Sequence, residues 1–410
     1  MMQKLNMKKM GKSFREMAIK RKEENKTFST DYLATLSQEK NIALKNYDSS
    51  SVECVDGYFE LTEKLYQMTK FEDVTFGLGK ATGEEDSLKV SGICFYYCSF
   101  SMCGFSNIVF ENCSFVGCDF VECYTLGIVL IFRDCSFVSR SPGRKNIEDM
   151  PSLFESCEFT ARFINSDVSS IVFNKTHFYF SHFENVDMSD AILLDCSFDT
   201  SKVCGCNLKG TKIVNPKFIE FYVDDTDKKT KVNRKTYLDF INYNKKEARE
   251  VRDAVEVYYA FSELFENNKI MDFSGEYFFL SQRVGMKNLE GFAKVKSFLS
   301  LITCGYGERP FYSLFASLTL VFLCGTLYML FGVNINGEVI AFQPTFTTPL
   351  PPFRELVLWY HFSLVTFSTV GYGNVVPVGG SLIVSAFEMV LGVVMVGIWV
   401  STLVRKMTRN

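Results

Sequence analysis

The sequence has little net charge, little histidine and none of the common enzyme motifs. Its formal net charge is −3 over 410 residues, which argues against a protein whose main task is to hold nucleic-acid phosphates. Its three histidines, His177, His182 and His361, do not have the spacing of metal ligands. No P-loop, His-Glu-x-x-His or Gly-x-Ser-x-Gly motif is present, so no motif supports an interpretation of the chain as an enzyme. Charged residues at 22% beside hydrophobic residues at 47% exclude a disordered chain.

A secretory signal is lacking as well. Residues 1–26 carry nine Lys and Arg, three Glu and no apolar core of useful length. We therefore expect the N-terminal part of the chain to lie in the cytosol, with free thiols on the 14 cysteines. The basic arm at residues 4–26 has two interpretations, contact with anionic lipid or simple solvation.

Long uncharged runs are concentrated near the C-terminus. Two of them, Phe311–Val333 and Ser381–Val404, are long enough to cross a bilayer. The block between them is broken by proline and glycine. Such irregular backbone is tolerated at membrane depth only where it is buried in protein or lines a water-filled path. We therefore expect a re-entrant loop between the spans rather than a third span.

Basic residues flank the outer ends of the two spans. Lys287, Lys294, Lys296 and Arg309 precede the first span, and Arg405, Lys406 and Arg409 follow the second. The segment between the spans carries few charges. The positive-inside rule then predicts a multi-pass protein of the cell (inner) membrane with cytoplasmic N- and C-termini.

Phenylalanine accounts for 41 of the 410 residues, and much of it recurs at every fifth position. One run comprises Phe95, Phe100, Phe105, Phe110, Phe115 and Phe120, and a second register extends from Phe163 to Phe218. Two residues before these positions the side chain is usually small, and nine of the 14 cysteines occupy that slot. A period of five fits neither an ordinary helix nor an ordinary strand.

This pattern resembles the pentapeptide-repeat family over residues 90–218. The resemblance implies a right-handed quadrilateral β-solenoid, with one pentapeptide per face, aromatic side chains stacked inside and small residues in the corners. Burial of each phenylalanine stabilises such a fold by about 1.5–3 kcal/mol. On stacked coils Cys98 and Cys118 would come within disulfide range, but a cytosolic location favours thiols. Ser139–Ser152 interrupts the register and is predicted to be a surface loop.

The regions that flank the repeats are expected to be helical. Residues 1–89 are predicted to be a basic, partly helical segment, with a short helix around Glu60–Thr69. Residues 219–309 are predicted to be a helical linker, in which a hairpin turns at Asn267 and its second helix spans Phe273–Phe292. Apolar residues on one face of the first helix support this prediction: Val251, Val255, Tyr258, Phe261 and Phe265.

The end of the linker is predicted to contact the membrane. Lys294–Thr303 is expected to lie along the membrane interface. Because the chain ends six residues after Val404, we expect regulation to enter through the first span, by way of the hairpin and Lys294–Arg309.

Between the two spans lies the peptide Thr369-Val370-Gly371-Tyr372-Gly373. It is the known signature of potassium-channel filters, and a chance match in a chain of this length is on the order of 10⁻⁴. An apolar segment over about residues 353–367 precedes it and is the expected pore helix. Residues 310–410 therefore resemble the pore domain of prokaryotic two-transmembrane potassium channels.

That resemblance implies a filter in which backbone carbonyls and the Thr369 hydroxyl replace the water around K⁺. The predicted bound species are K⁺ ions, with no organic cofactor and no other metal. Gly371 and Gly373 permit the positive φ that inward-facing carbonyls require, and Tyr372 would brace the loop outward. One chain supplies one loop, so a closed ring needs a homotetramer. Asn374 departs from the usual Asp at the outer mouth, for which we expect weaker cation focusing.

Glu388 is a lone charge in the second span. A carboxylate at the membrane centre costs about 2.5–3.5 kcal/mol on insertion scales, so a partner or a purpose is expected. Either it hydrogen-bonds near Ser363 or Thr366 of the pore helix, with Ser368 as further support, or it lines the cavity. The structural interpretation is preferred.

Two glycines, Gly392 and Gly397, lie in the same span. The resemblance implies a gating hinge near Gly392, and close packing is an equal alternative. No span carries basic residues at every third position, which argues against voltage sensing.

The sequence as a whole predicts a tetrameric K⁺-selective channel in the lipid bilayer, with a cytoplasmic solenoid as a regulatory or tethering module. It leaves open whether that solenoid binds a ligand, a protein or another subunit; no nucleic-acid partner is expected. The alternative is a membrane-anchored pentapeptide-repeat interaction protein whose pore region does not conduct. Some proteins of that family are implied to mimic DNA, but residues 90–218 have a net charge of only about −4, too weakly acidic for such mimicry.

Overall fold

A computed structural model describes residues 7–40, 45–49, 57–138, 151–226, 228–244, 247–342 and 351–408. The chain divides into two compact units, Met1–Ser281 and Gln282–Asn410. The first unit holds short β-strands with a helix before them and a helical hairpin after them. The second unit is mainly helical. Most of the surface loop predicted at Ser139–Ser152 lies outside the described residues.

The first unit is built from short strands. They are β1 Asn46–Asp48, β2 Leu65–Gln67, β3 Lys70–Glu72, β4 Thr75–Gly77, β5 Leu88–Ser91, β6 Cys94–Tyr96, β7 Ser99–Ser101, β8 Gly104–Ser106, β9 Ile108–Glu111, β10 Ser114–Val116, β11 Asp119–Val121, β12 Tyr124–Thr125, β13 Leu130–Arg133, β14 Leu153–Glu155, β15 Glu158–Phe159, β16 Arg162–Ile164, β17 Val172–Asn174, β18 His177–Tyr179, β19 His182–Glu184, β20 Ile192–Leu194, β21 Ser197–Asp199, β22 Lys202–Cys204, β23 Lys212–Val214, β24 Lys217–Ile219, β25 Tyr222–Val223 and β26 Tyr237–Leu238.

These strands stack in four parallel columns, so the unit is a four-faced β-solenoid. The first face has the order β1-β3-β7-β11-β14-β17-β20-β23-β26. The second face begins with β2-β6-β10 and continues as single bridges from Ser136 to Lys231. The third has the order β4-β8-β12-β15-β18-β21-β24, and the fourth β5-β9-β13-β16-β19-β22-β25. The predicted solenoid class is confirmed.

The ladder of strands begins before Val90, where the repeats were expected to start. The short helix predicted around Glu60–Thr69 is wrong, because this stretch contains β2. Tyr66 of β2 is 2% exposed, and its ring stacks on Phe95 of the next coil at 5.3 Å between centroids. The aromatic side chain gains more by entering this column than a short isolated helix could supply.

Phenylalanine rings fill the interior in stacked columns. Phe120 lies 4.7 Å from Phe100 and 4.5 Å from Phe154, measured between ring centroids, with the planes within 4° of parallel. Strand register places these three residues directly above one another. The aromatic columns that the pentapeptide-repeat resemblance implied are confirmed.

Cysteines occupy the corner positions beside these rings, as predicted. The Sγ atom of Cys98 lies 3.4 Å from the carbonyl oxygen of Tyr66, and that of Cys118 lies 3.3 Å from the carbonyl oxygen of Phe95. The cysteines in the described part of the chain are free thiols. Burial raises the pKa of the Cys196 thiol to about 12, so the reactive thiolate is scarce at neutral pH. The Cys196 thiol therefore serves as a packing group in its corner position.

The N-terminal helix α1 (Met7–Lys40) packs along the first face of the solenoid. Ala18 is 2% exposed, and Met10 and Phe14 lie on the same helix face, each four residues from the next. They cover apolar side chains that point outward from the strands: Leu153, Val172, Ile192, Leu194, Val214 and Tyr237. An outward apolar stripe of this kind needs a cover, which α1 provides.

Three basic side chains of α1 bind the solenoid. Arg15 forms an ion pair with Asp195 at 3.0 Å, and Lys22 donates to Glu155 at 2.6 Å. Arg21 donates to two backbone carbonyl oxygens of the solenoid, at 2.9 and 3.0 Å. The two interpretations of the basic arm did not include these contacts with the solenoid, whereas Lys20 of the same helix is 76% exposed, as the solvation interpretation expects.

A helical hairpin closes the C-terminal end of the solenoid. Its helices are α2 (Ala248–Asn267) and α3 (Met271–Gly285), which confirms the hairpin, although the second helix ends earlier than expected. The hydroxyl oxygen of Tyr277 accepts a hydrogen bond from the backbone N–H of Leu238, in the last strand, at 2.9 Å. The hairpin therefore covers an end that would otherwise expose core side chains.

The second unit contains two long apolar helices. After a 3₁₀ turn at Met286–Asn288 come α4 (Gly291–Cys304), α5 (Pro310–Phe331), α6 (Phe353–Phe367) and α7 (Gly380–Thr408). Among the residues that the structure describes, two segments are long and apolar enough to cross a membrane, Pro310–Phe331 and Gly380–Met407. These bounds agree closely with the predicted spans.

A small antiparallel sheet lies between α5 and α7 in the sequence. It contains β27 (Val333–Ile335), β28 (Glu338–Ile340) and β29 (Val375–Pro377), in the order β28-β27-β29. The sequence did not predict this sheet. Strands of three residues carry too weak a periodic signal to be recognised alone.

Candidate functional site

The predicted pore helix is α6, and its bounds are those expected. It begins after Pro352, because a proline hinders extension of the helix toward the N-terminus. Glu355 lies in the first turn, where a negative charge is favourable. α6 packs against both α5 and α7. Beyond Phe367 the backbone hydrogen bonding continues for three residues. The N–H groups of Ser368, Thr369 and Val370 donate to the carbonyl oxygens of Leu364, Thr366 and Val365, at 3.0, 3.0 and 3.1 Å. The candidate filter therefore starts at the C-terminal end of a fixed helix.

The backbone leaves helical geometry within the candidate filter. Gly371 has φ +55° and Gly373 has φ +79°, the sign expected at both. Thr369 has φ +55°, which is rare for a β-branched residue and costs of order 1–3 kcal/mol. Such strain persists only where surroundings enforce it, and it is a feature of functional segments.

Side chains of the candidate filter differ in their contacts. The ring of Tyr372 stacks on His361 of α6 with 6.1 Å between centroids and 9° between planes, so it braces the loop against the helix as expected. Val370 and Tyr372 are 55% and 69% exposed in the single chain. Thr369 Oγ1 donates to Ser368 O at 2.7 Å, and Ser368 Oγ donates to Leu364 O at 2.8 Å. Asn374 follows as an exposed residue directly before β29.

Glu388 of α7 is fully buried and joins three helices. One of its carboxylate oxygens accepts a hydrogen bond from the hydroxyl of Tyr328, in α5, at 2.6 Å. The other lies in a short hydrogen bond with Ser363 Oγ, in α6. The preferred interpretation of Glu388 is supported for Ser363, whereas Thr366 donates to Phe362 O at 2.8 Å. Tyr328 was not predicted, because the sequence gives no signal that this one tyrosine faces Glu388.

The two glycines of α7 differ in their surroundings. A Cβ atom on Gly392 would lie 2.2 Å from the carbonyl oxygen of Phe367, the last residue of α6. A Cβ atom on Gly397 would meet no atom of the chain within 4 Å. α7 runs as one helix through both positions. Gly392 thus permits close approach of α7 to the end of the pore helix, which favours the packing interpretation there.

Other candidate sites lack the required grouping. In the part of the chain that the structure describes, no group of three or more His, Cys, Asp and Glu side chains is placed to bind a metal ion. His177 is half-buried, and its Nδ1 lies 2.5 Å from Ser197 Oγ, whereas His182 is exposed to solvent.

A comparison with protein families finds a match at the C-terminal end of the chain. Residues 357–409 match the model of a family described as ion channel. The matched segment contains most of α6, the candidate filter and α7. A comparison with curated proteins finds no match. Together with the two apolar helices, the family match indicates a membrane location and an ion-channel function for this segment.

Solved structures of pentapeptide-repeat and resistance proteins resemble the chain. HetL, a pentapeptide-repeat protein involved in heterocyst differentiation regulation from the cyanobacterium Nostoc sp., is 9% identical, with 48% of this chain and 95% of that chain covered and a TM-score of 0.23. Full-length QnrB1, a plasmid-mediated fluoroquinolone resistance protein, is 13% identical, with 36% of this chain and 94% of that chain covered and a TM-score of 0.16.

These TM-scores are low, so the solenoid assignment rests on the five-residue period and the parallel strand ladder of this chain itself. The chain joins a pentapeptide-repeat β-solenoid to a C-terminal segment of the two-span ion-channel type.

Proposed function

We propose that four copies of the chain form a K⁺-selective channel. The observation that carries this proposal is the Thr369–Gly373 peptide, which follows a pore helix, lies between two apolar helices and has positive φ at three of its five residues. In a ring of four such loops, backbone carbonyls would replace the hydration shell of K⁺ at Thr369, Val370, Gly371 and Tyr372. K⁺ is the transported ion and needs no organic cofactor.

The position of Glu388 is compatible with this pore. Four acidic groups lining a shared axis would repel one another strongly in a medium of low dielectric constant. Glu388 instead turns toward Tyr328 and Ser363, so its role in the proposed channel is to join the three helices behind the filter.

The proposed orientation has both termini and the solenoid in the cytoplasm, with the solenoid as a regulatory or tethering module. Exposed apolar side chains of α4 support a position of this helix at the membrane interface. Phe292 is 84% exposed, Phe298 51% and Ile302 43%. Lys294 and Lys296 lie in the same helix, as in helices that bind anionic membrane surfaces.

Ion flux into proteoliposomes tests this function. The native chain should carry K⁺ in preference to Na⁺ by at least about tenfold, since the filter geometry is specific to the larger ion. Gly371→Ala should abolish the flux, because an alanine at φ +55° costs about 1–2 kcal/mol in each copy of the filter. Gly291→Ala is the matched control, since Gly291 has φ +54° and equally open surroundings outside the filter.

Two results would contradict the proposal. One is electrically silent vesicles that contain the correctly inserted native chain, as expected for a non-conducting interaction protein. The other is a mass in mild detergent that corresponds to a single 46.8 kDa chain rather than to four.

A further inference from the structure

The small sheet of the second unit connects the first span to the exit of the candidate filter. β27 starts directly after Gly332, the C-cap of α5, and β29 starts two residues after Gly373, with only Asn374 between. Asn334 pairs with Val376, and Ile335 pairs with Val375. β27 is the central strand, with β28 on its other side.

One side of the sheet packs on the pore helix. Val333 is fully buried in a cluster with Trp359 of α6, and Ile335, Ile340 and Val375 pack against that cluster. The indole Nε1 of Trp359 donates to the carbonyl oxygen of Ile340 at 3.3 Å. The opposite side of the sheet faces outward, with Val339 59% and Val376 52% exposed.

The candidate filter is therefore held at both ends by different elements. Its entrance continues the hydrogen bonding of α6 through Thr369 and Val370. Its exit is one residue from β29, which can move away from the pore helix only if its pairing with β27 breaks. Ser381 reinforces this arrangement, because its Oγ donates to the carbonyl oxygen of Gly332 at 2.6 Å.

We propose that the pairing of β27 with β29 is a positioning device that keeps the filter exit in its conducting geometry. This inference rests on the proposed function. Inward-facing carbonyl dipoles repel one another when few ions occupy the filter. The exit strand then has the greatest tendency to shift, and the sheet opposes that shift. The sheet should matter most when external K⁺ is low.

Engineered disulfides separate the role of β29 from that of the sheet as a whole. Directly opposed residues of antiparallel strands have Cα atoms about 4.5–5.5 Å apart, within the range that a disulfide requires. Asn334→Cys with Val376→Cys joins β27 to the filter strand. Asn334→Cys with Val339→Cys joins β27 to β28 and is the matched control, because Asn334 pairs with Val339 on the other side.

The readout is the decay of K⁺ current in the full-length channel after external K⁺ is lowered. Oxidation of the Asn334–Val376 cysteine pair should slow this decay by at least about threefold. A rate change of this size corresponds to the net free energy of about one backbone hydrogen bond. Dithiothreitol should restore the native rate. The Asn334–Val339 pair should form its disulfide, verified by peptide mass, without slowing the decay.

A second variant keeps the inference testable if a cysteine pair folds poorly. Trp359→Phe keeps an aromatic ring in the core but removes the indole N–H that donates to the carbonyl oxygen of Ile340, so the decay should quicken by about twofold. Equal effects of the two disulfides, or no effect of either, in channels that still select K⁺ would overturn the inference and leave the proposed function intact. Failure of the Asn334–Val376 pair alone to crosslink would overturn it too. Silence of the native chain would remove the proposed function and this inference with it.

Discussion

Replacement of Glu388 by alanine tests whether the buried carboxylate joins the helices behind the candidate filter. The substitution removes the acceptor of the Tyr328 hydroxyl, which is itself fully buried, and the partner of Ser363. Ser363 Oγ also lies 2.8 Å from the carbonyl oxygen of Val321, so it keeps a partner. Tyr328 would lose the acceptor that Glu388 provides.

The expected loss of stability on Glu388→Ala follows from these contacts. A buried donor without its partner costs about 1–3 kcal/mol, and the space left by a truncated side chain adds a cavity contribution of similar size. Burial of a carboxylate is itself unfavourable, so its removal offsets part of this loss of stability. We expect Glu388→Ala to destabilise each chain by about 2–4 kcal/mol. Glu388→Gln keeps the volume and an acceptor for Tyr328 and gains an N–H for Ser363, so its cost should stay below about 1 kcal/mol.

Thermal disassembly of the purified oligomer, followed by size-exclusion chromatography, measures the difference. At about 2–4 °C per kcal/mol, Glu388→Ala should lower the midpoint by roughly 5–15 °C, and Glu388→Gln by much less. Glu388→Gln should also leave voltage-dependent block by intracellular polyamines unchanged, because the carboxylate turns toward α5 and α6. Equal destabilisation by the two variants, or a changed block in the glutamine variant, would refute this account.

Two further predictions concern the inner helix and the solenoid. Gly392→Ala should abolish K⁺ flux, because its Cβ would meet the carbonyl oxygen of Phe367 at 2.2 Å, whereas Gly397→Ala should conduct; equal flux through both variants would contradict the packing role of Gly392. Burial, together with the nearby Glu155, raises the pKa of Asp119 to about 6, so the folded chain retains a proton that the unfolded chain releases near pH 4. Stability from this group is therefore present below pH 4 and is lost as pH rises to about 6, at a cost approaching 3 kcal/mol at neutral pH. Asp119→Asn should raise the thermal midpoint of the β-sheet circular-dichroism signal of the full chain at pH 7.5 more than at pH 4.5; a pH-independent shift would contradict the assignment.

The sequence was most informative where its signal was local and periodic. The five-residue spacing of Phe95–Phe120 carried the resemblance to the pentapeptide-repeat family, and that resemblance implied the four-faced solenoid with stacked rings. The apolar runs predicted α5 and α7 to within a few residues at most ends, and the prolines before Phe353 marked the start of α6. In each case one physical requirement, burial of apolar surface, determines both the pattern and the element.

The first coil was missed although its signal was present. Tyr66, Phe71 and Phe76 continue the five-residue spacing, but the residues between Phe76 and Val90 contain an extra loop that breaks the register. A similar signal existed for α1. Ile192 and Leu194 flank an inward position and point outward, where a solvated face would carry polar residues. Apolar residues on both sides of a solenoid centre indicate a covering element.

Contacts between distant segments were not predictable in the same way. The Glu388–Ser363 hydrogen bond could be proposed because a lone membrane carboxylate requires a partner. The choice of Tyr328 depends on the rotation of α5, and the pairing of β29 with β27 depends on the path of the chain around α6. Sequence periodicity does not encode either property, because both arise from packing between elements.

The contacts of α4 suggest how a signal could reach both spans of the proposed channel. Glu308 lies between α4 and α5, and its carboxylate, 4% exposed, forms an ion pair with Arg405 in the last turns of α7 at 3.0 Å. α4 also packs against α5 and α7 directly. A displacement of α4 would therefore move the start of one span and the end of the other together. In the proposed orientation both ends face the cytoplasm, so regulation through the segment that precedes α5 requires no separate sensing element on α7.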